Sequence, residues 1–168
     1  FQKLSKEVLE STFGANRPYI DNIGKAMVLR TVFEDFPEEF ELYRPVAQRQ
    51  GFLTKMESLL TELKRNDIQS AALKELANRT EDKLFSQKLK EVSFLQEQME
   101  LRLTGHYADS EDKMNMLVNQ IASCGWIKDL DFYFFGFHSF TAIEYRIVEQ
   151  LIMYAHNVYI TLPMEEKE

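Results

Sequence analysis

The sequence predicts a mostly α-helical chain that ends in a β-α-β unit. Apolar residues recur three and four positions apart from residue 1 to about residue 125, which is the spacing of amphipathic helices. The pattern then changes to an almost unbroken apolar run at 131–135, which predicts a strand buried on both faces. A helical pattern at 141–155 and a second apolar run at 158–162 follow. A strand–helix–strand order predicts two parallel strands joined by a right-handed crossover.

Capping and breaking residues set the expected limits of the first helices. A helix runs from Phe1 and is interrupted by the stretch from Gly14 to Pro18. Asp21 is expected to cap the second helix, which should end at Phe36 before Pro37. A short helix is expected over 38–43, and a longer one that follows Gly51 and ends near Asn66.

The later helices follow from the same signals. Ser70 is expected to cap a short helix and Thr80 a long one, for which Gly105 is the natural stop. Asp109 or Ser110 should cap the next. Thr141 and Glu144 have the spacing of a capping box, which opens the helix of the β-α-β unit.

Bulk composition excludes several classes of protein. The chain has 168 residues, 45% of them apolar, a net charge of −7 and one cysteine. This length suits one domain or one domain with part of another, and the absence of a strongly basic segment argues against tight nucleic-acid binding by this chain alone. A single cysteine excludes an internal disulfide or a cysteine-built metal site and suits a reducing, cytoplasmic environment. No apolar run has the length of a membrane span, so no membrane partner is expected.

Two strands are too few for a stable sheet. The missing neighbours are expected from a longer parent protein or from a second copy, so self-association through the unfinished sheet stays open. Since the chain opens on Phe1, already inside an amphipathic pattern, we interpret it as a fragment of something longer.

Several polar residues have both a functional and a plain structural interpretation. His138 follows a strand end and precedes a helix start, a place suited to a phosphate; it could equally satisfy loop backbone groups. The acidic residues at 109–112 could hold a metal, although a helix start that complements the dipole is the favoured interpretation. Lys64 and Arg65 suit the last turn of a helix and could alternatively contact DNA. Cys124 is interpreted as a small buried hydrophobe rather than a nucleophile.

The sequence contains no Gly-rich phosphate loop, no G-x-S-x-G, no H-E-x-x-H and no C-x-x-C. Residue chemistry alone therefore indicates a helical domain with a β-α-β unit and no complete active site.

Five segments, in order along nearly the whole chain, resemble one family: the B subunit of AddAB/RexAB-type ATP-dependent helicase–nucleases. FQKLSKEVL at 1–9 resembles its F-x-R-L-x-x-x-V-L segment, and 17–30, from RPYI to MVLR, resembles its next helix. GF to ELKR at 51–65 is similar to its G-F…E-x-K-R helix, and KLK to GHYADSED at 88–112 to its K-L-x-x-L…Y-x-x-S-E-D stretch. GFHSFTAIE at 136–144 resembles its D-G-F-x-x-F-T-P-Q-E motif.

The resemblance implies a fold and a set of partners. Residues 1–125 would be a helical insertion domain, and 126–168 a β-α-β part of a superfamily 1 helicase-like, P-loop-type α/β sheet. The parent would pair with an A subunit, process double-stranded DNA ends for repair and recombination, and scan the single strand for the Chi hotspot. It would use ATP, Mg²⁺ and a 4Fe–4S cluster, none of which this fragment is expected to hold.

The resemblance also implies site residues. The family's F-x-R segment and the aromatic after the glycine lie near single-stranded DNA, which assigns DNA binding to Phe1, Lys3 and Phe137, with His138 beside them. Phe137 could stack on a base or simply plug the loop. Phe135 stands where the family usually has a magnesium-holding Asp, so ATP hydrolysis is not expected, and no residue is predicted to be catalytic.

Three functional hypotheses follow. The leading one is a fragment of the DNA end-processing subunit that supplies scaffold and single-strand recognition and is inactive alone. The alternatives are a non-enzymatic helical protein-interaction module and a nucleotide-binding β-α-β enzyme fragment of another kind.

Overall fold

The computed structural model describes residues 1–11, 18–104 and 106–161. These residues are mostly helical, with a small parallel sheet near the carboxyl end, which confirms the coarse fold class. The elements, in chain order, are α1 (Gln2–Ser11), α2 (Asn22–Asp35), α3 (Gln50–Arg65), α4 (Ser70–Arg79), α5 (Lys83–Leu103), α6 (Ser110–Gln120), β1 (Asp131–Phe134), α7 (Ala142–Tyr154) and β2 (Asn157–Ile160). No helix among the described residues is both long enough and apolar enough to cross a membrane.

The chain forms two compact units whose limits differ from the predicted division at residue 125. One unit comprises Phe1–Asn16 with Ser110–Glu168, and the other comprises Arg17–Asp109. The reason is non-local packing: α1 packs on α6, and α6 on α7, so both chain ends contribute to one core. The assignment of 1–125 and 126–168 to separate domains of a parent protein stays a prediction.

The unit Arg17–Asp109 is a helical assembly around its own core. α4 and α5 form its most extensive helix pair, and α2 packs on both α3 and α5. Its core is lined by apolar side chains from all four helices and contains Leu29, Val32, Phe40, Leu53 and Leu95. Burial of such side chains at roughly 25 cal/mol per Å² is the main favourable term for a unit of this size.

The other unit has a separate core beneath the sheet. Val8 of α1, Leu117 of α6, and Ile147 and Leu151 of α7 are fully buried in it. Trp126, the only tryptophan of the chain, packs against the same core and is partly buried.

Local chemistry explains why two of the helices, α2 and α7, begin where they were predicted. The Asp21 carboxylate accepts a 2.8 Å hydrogen bond from the Gly24 amide, which confirms the cap of α2. The predicted capping box of α7 is also confirmed, with Thr141 as the N-cap and Glu144 as its partner. The predicted break at Gly14 to Pro18 and the stop at Gly105 lie wholly or partly outside the described residues.

Two predicted caps are wrong. Asp82, not Thr80, caps α5: its carboxylate accepts from the amides of Leu84 (2.9 Å) and Phe85 (3.1 Å). An ionised carboxylate is the stronger acceptor and complements the helix dipole. Ser70 is the first residue of α4 rather than its cap.

The packing of α4 on α5 explains the second error, because it engages Ser70 elsewhere. The Ser70 hydroxyl donates to Glu97 (3.0 Å), and the Ser70 carbonyl accepts from the Ser93 hydroxyl (3.1 Å).

The helix expected over 38–43 does not form. Two short 3₁₀ turns, Pro37–Glu39 and Arg44–Val46, replace it. Both prolines of these turns lie outside 38–43, so the loss of the helix is explained by where the backbone donors of this segment go. The amides of Leu42 and Tyr43 donate instead to the carboxylate of Glu91.

The sheet consists of β1 and β2 in parallel register, with Asp131 opposite Asn157 and Phe134 opposite Ile160. The parallel pairing is confirmed, but β1 ends at Phe134 and β2 at Ile160, earlier than predicted; Leu162 lies outside the described residues. The prediction that the first strand is buried on both faces is wrong for this chain. Phe134 is buried, whereas Tyr133 is 71% exposed and Phe135, beyond the strand, is 84% exposed, because within this unit the described chain packs against one face only.

Candidate nucleic-acid interface

A glycine in a left-handed conformation turns the chain out of β1. Gly136 has φ of +78°, and a Cβ atom built on it would meet no atom within 4 Å. The backbone conformation, rather than crowding, therefore favours glycine at this position. This turn directs the following loop back over the carboxyl end of the strand.

Four phenylalanine rings pack together at this turn. Phe137 stacks on Phe140, with ring centroids 5.0 Å apart and planes 24° apart, and its edge faces Phe134 at 5.9 Å. Phe1 joins them, with its centroid 5.6 Å from Phe134 and 6.0 Å from Phe137. Aromatic pairs in these geometries contribute about 0.5–1.5 kcal/mol each beyond the area that they bury. We call Phe1, Phe134, Phe137 and Phe140 the phenylalanine cluster.

The cluster brings together two of the four predicted DNA-binding residues, Phe1 and Phe137. Both rings are partly buried and pack against the core of their unit. This packing supports the interpretation of Phe137 as a loop plug. Stacking of its ring on a base stays a prediction.

The other two predicted residues, Lys3 and His138, are exposed. The Lys3 side chain is 91% exposed, and its ammonium lies 4.0 Å from the Glu7 carboxylate, a pair too open to fix either group. Within the described parts of the chain, His138 is exposed and makes no hydrogen bond or ion pair. Neither side chain contributes to the packing of its unit, and their contact with DNA stays a prediction.

The start of α7 is already occupied by its own capping box. The Thr141 hydroxyl accepts from the Glu144 amide at 3.4 Å, and the Glu144 carboxylate accepts from the Thr141 amide at 2.9 Å. This carboxylate supplies the negative charge that the helix N-terminus favours. A phosphate beside His138 would therefore meet a carboxylate rather than a free helix end.

The opposite end of the strands carries a polar cluster that sequence reasoning missed. Nδ1 of His156 and Nδ2 of Asn157 each lie 2.9 Å from Oδ1 of Asp131. The hydrogen bond from Asn157, then that from His156, lowers the pKa of the Asp131 carboxyl below its usual value. The available signal was the strand register, since Asp131 and Asn157 begin paired strands.

Two further candidates, Lys64 and Asp109, are engaged with each other within the helical unit. The Lys64 ammonium lies 3.1 and 3.2 Å from the two Asp109 carboxylate oxygens. This pairing neutralises the charge that Lys64 would offer to DNA. In the chain segments that the structure describes, no group of three His, Cys, Asp or Glu side chains is placed to hold a metal ion.

Comparison with known proteins places these features in a family. Residues 1–168 match the family model described as ADDB, N-terminal. The chain is 36% identical to the B subunit of the ATP-dependent helicase/deoxyribonuclease of Bacillus velezensis over 168 residues, which are 96% of this chain and 14% of that protein.

Proteins with the same name from other species match the chain to a similar extent. The B subunit of Geobacillus kaustophilus is 33% identical, covering 98% of this chain and 15% of that protein. The B subunit of Bacillus subtilis is 31% identical, and the match covers 99% of this chain and 15% of that protein. The chain thus spans about one seventh of the length of these curated relatives, and it belongs to the AddB N-terminal family.

Proposed function

We propose that this chain is part of the B subunit of a helicase–nuclease that processes double-stranded DNA ends in repair and recombination. Its relatives are named as the B subunit of an ATP-dependent helicase/deoxyribonuclease, which implies a partner subunit and a DNA substrate. Such a subunit would act in the cytoplasm as a heterodimer with the A subunit. The family favours this hypothesis over the helical interaction module and over an unrelated nucleotide-binding enzyme.

Within that subunit, we assign this chain to scaffold and single-strand recognition, including the response to Chi. The observation that carries the assignment is the phenylalanine cluster, because it gathers Phe1 and Phe137 at the carboxyl end of a parallel strand. Ligands of open α/β sheets bind outside this end of the strands. Stacking of one base on an exposed aromatic face contributes roughly 1–3 kcal/mol, and Lys3 would add a phosphate contact.

The residues present do not fit the magnesium or the iron–sulfur cluster that the family resemblance implies. Phe135 occupies the position where the family usually has Asp, and a phenyl ring offers no oxygen to Mg²⁺. A 4Fe–4S cluster needs four thiolates, whereas this chain has one cysteine, the buried Cys124. ATP hydrolysis and cluster binding are therefore assigned to other parts of the complex, and the family resemblance assigns DNA cleavage there as well.

We further propose that β1 and β2 belong to a larger helicase-like sheet in the longer protein. Tyr133 and Tyr159 stack on one face of the pair, with centroids 4.8 Å apart, and are 71% and 49% exposed. Parallel sheets are normally covered on both faces, so this aromatic face is suited to burial against another element. The hydrodynamic mass of the isolated chain would test the competing idea of self-association, which requires a dimer at micromolar concentration.

The decisive experiment compares two lysines of α1 in the intact two-subunit complex. Lys3 and Lys6 each form an open i,i+4 pair, with Glu7 at 4.0 Å and Glu10 at 3.8 Å, and their side chains are 91% and 75% exposed. Single-strand affinity is measured as a function of salt for Lys3→Ala and for Lys6→Ala, the matched control. Loss of one phosphate contact should weaken binding and reduce the salt slope by about 1 for Lys3→Ala only.

A second pair of variants tests the loop without emptying the core. Phe137→Leu keeps an apolar side chain against the phenylalanine cluster but removes the aromatic face, and His138→Gln keeps a polar side chain. Both should weaken single-strand binding and the response to Chi. Unchanged affinity and Chi response in Lys3→Ala, Phe137→Leu and His138→Gln would remove the site assignment and leave the fold assignment standing.

The isolated chain is expected to show no nuclease, helicase or ATPase activity. Phe135 provides no metal ligand for ATP hydrolysis, and the nuclease is assigned to another part of the parent protein. The assay is hydrolysis of ATP and of labelled DNA with added Mg²⁺. A magnesium-dependent activity that survives repurification would contradict the non-catalytic role.

A further inference from the structure

The helical unit Arg17–Asp109 has its two chain ends side by side. Tyr19 and Ala108 form an isolated parallel bridge. The Ile20 amide donates to the Ala108 carbonyl, and the Ala108 amide donates to the Pro18 carbonyl, each at 3.0 Å. A pairing this short is at best marginally stable by itself, so other interactions must hold the ends together.

Asp109, next to the bridge, enters a buried group of charges. Both oxygens of its carboxylate accept hydrogen bonds from the Lys64 ammonium, at 3.1 and 3.2 Å. One of them also lies 3.9 Å from the Lys25 ammonium. Lys25 comes from α2 and Lys64 from the last turn of α3. The last residue of the unit is thus tied to its first two helices.

The same group continues into α3. The Lys25 ammonium lies 2.7 Å from the Glu57 carboxylate and donates to the Thr61 hydroxyl at 2.9 Å. The Thr61 hydroxyl in turn donates to Glu57 at 2.9 Å. The group thus contains two ammonium groups and two carboxylates, and each ammonium contacts a carboxylate of the group at 3.1 Å or less.

Burial makes this group sensitive to the loss of any member. The side chains of Lys25, Glu57 and Asp109 are only 5–6% exposed, and that of Lys64 is 35% exposed. A buried ion pair gives little net stability compared with an apolar replacement, but removing one partner leaves a costly uncompensated charge. Such a group can instead specify one arrangement of the elements that it joins.

We propose that Lys25, Glu57, Lys64 and Asp109 form a latch that holds the two ends of this unit together. The latch acts on the bridge at Tyr19 and Ala108 and defines the unit as a closed insert in the chain. It is independent of the DNA-binding assignment, because none of the four residues belongs to that site.

Amide hydrogen exchange resolved to single residues tests the latch in the whole 168-residue chain. The reporters are the amides of Ile20 and Ala108, and the Leu95 amide in the middle of α5 reports on the core. Asp109→Asn and Lys64→Gln should each raise the exchange rate at the two reporters at least about tenfold, the effect of losing one charge-assisted hydrogen bond. Exchange at Leu95 should change by less than about threefold.

The matched control is Lys74→Gln, which breaks the partly exposed pair of Lys74 with Glu97 between α4 and α5 in the same unit. It should leave all three amides unchanged. Unaltered exchange at Ile20 and Ala108 in the latch variants would overturn the proposal. A uniform rise in the exchange rate of all three amides would also overturn it, because it would show a general contribution to stability. If Asp109→Asn does not fold, the test rests on Lys64→Gln, whose side chain is partly exposed and whose loss is milder.

Discussion

Replacing Glu91 with glutamine tests whether one buried carboxylate organises the segment between α2 and α3. Glu91 is 1% exposed, and its two oxygens accept hydrogen bonds from the amides of Leu42 (2.8 Å) and Tyr43 (3.1 Å). Gln87 adds a third hydrogen bond at 3.0 Å. Within the described residues, no lysine or arginine pairs with Glu91, so backbone donors satisfy this charge.

The magnitude follows from the number of donors that lose their acceptor. Glutamine keeps one oxygen and turns an amide group toward the other backbone donor, which leaves one partly buried amide unpaired, at a cost near the low end of roughly 1–3 kcal/mol. Alanine leaves both partly buried amides unpaired and should cost about twice as much. Both variants should lower the free energy of unfolding, and alanine should lower it more.

The assay is urea unfolding of the chain followed by far-ultraviolet circular dichroism, with the midpoints converted at a common slope. Glu97→Gln is the matched control on the same helix, because Glu97 pairs with Lys74 in a partly exposed position and should cost about 0–1 kcal/mol. Equal costs for Glu91→Gln and Glu97→Gln would refute the reasoning, since burial would then have no effect.

Three further substitutions test the sheet and its connections by the same unfolding assay. Thr141→Ala removes the N-cap of α7 and should cost about 0.5–2 kcal/mol; no loss would refute the capping box. Gly136→Ala forces a side chain into a left-handed conformation and should cost about 1–2 kcal/mol, although the space is open. Hydrogen bonds from Asn157 and His156 lower the pKa of folded Asp131, so their stabilising effect is present above the pKa of the unfolded state and is lost as pH falls through the folded pKa. Asp131→Asn should therefore flatten the loss of stability on acidification below about pH 4, and an unchanged acid profile would contradict this assignment.

Local chemistry made some elements predictable from the sequence. Asp21 and Thr141 were correctly assigned as caps because a side-chain acceptor followed by a helical pattern has few alternatives. Thr80 failed because Asp82 competes for the same role two residues later. Ser70 failed because a neighbouring helix, absent from any local window, engages its hydroxyl and carbonyl.

Periodicity also misplaced some apolar side chains. Ile23 and Met27 of α2 are apolar and have helical spacing but are 72% and 66% exposed, and Leu84 of α5 is 54% exposed. The spacing of apolar residues shows which side of a helix can be buried, but the packing of other helices decides how far along the helix that burial extends.

The candidate site depended on long-range packing to a greater degree. Phe1 and Phe137 come together only because α1 packs with the carboxyl part of the chain, and no local pattern contains that information. Their shared role was suggested by the family resemblance, whereas the contact of Asp131 with His156 required the strand register. Both units are closed by residues far apart in sequence, which is why the predicted boundary at residue 125 differs from the compact units.

The presence of two separate cores has a spectroscopic consequence. Trp126 belongs to the core under the sheet, so its emission reports the melting of that core, whereas the helical unit holds tyrosine and phenylalanine but no indole. Indole emission and helical dichroism should therefore follow different denaturation curves whenever one core melts before the other. Because both units contain helices, the dichroism reports both transitions, and the emission of Trp126 identifies the one that belongs to the core under the sheet.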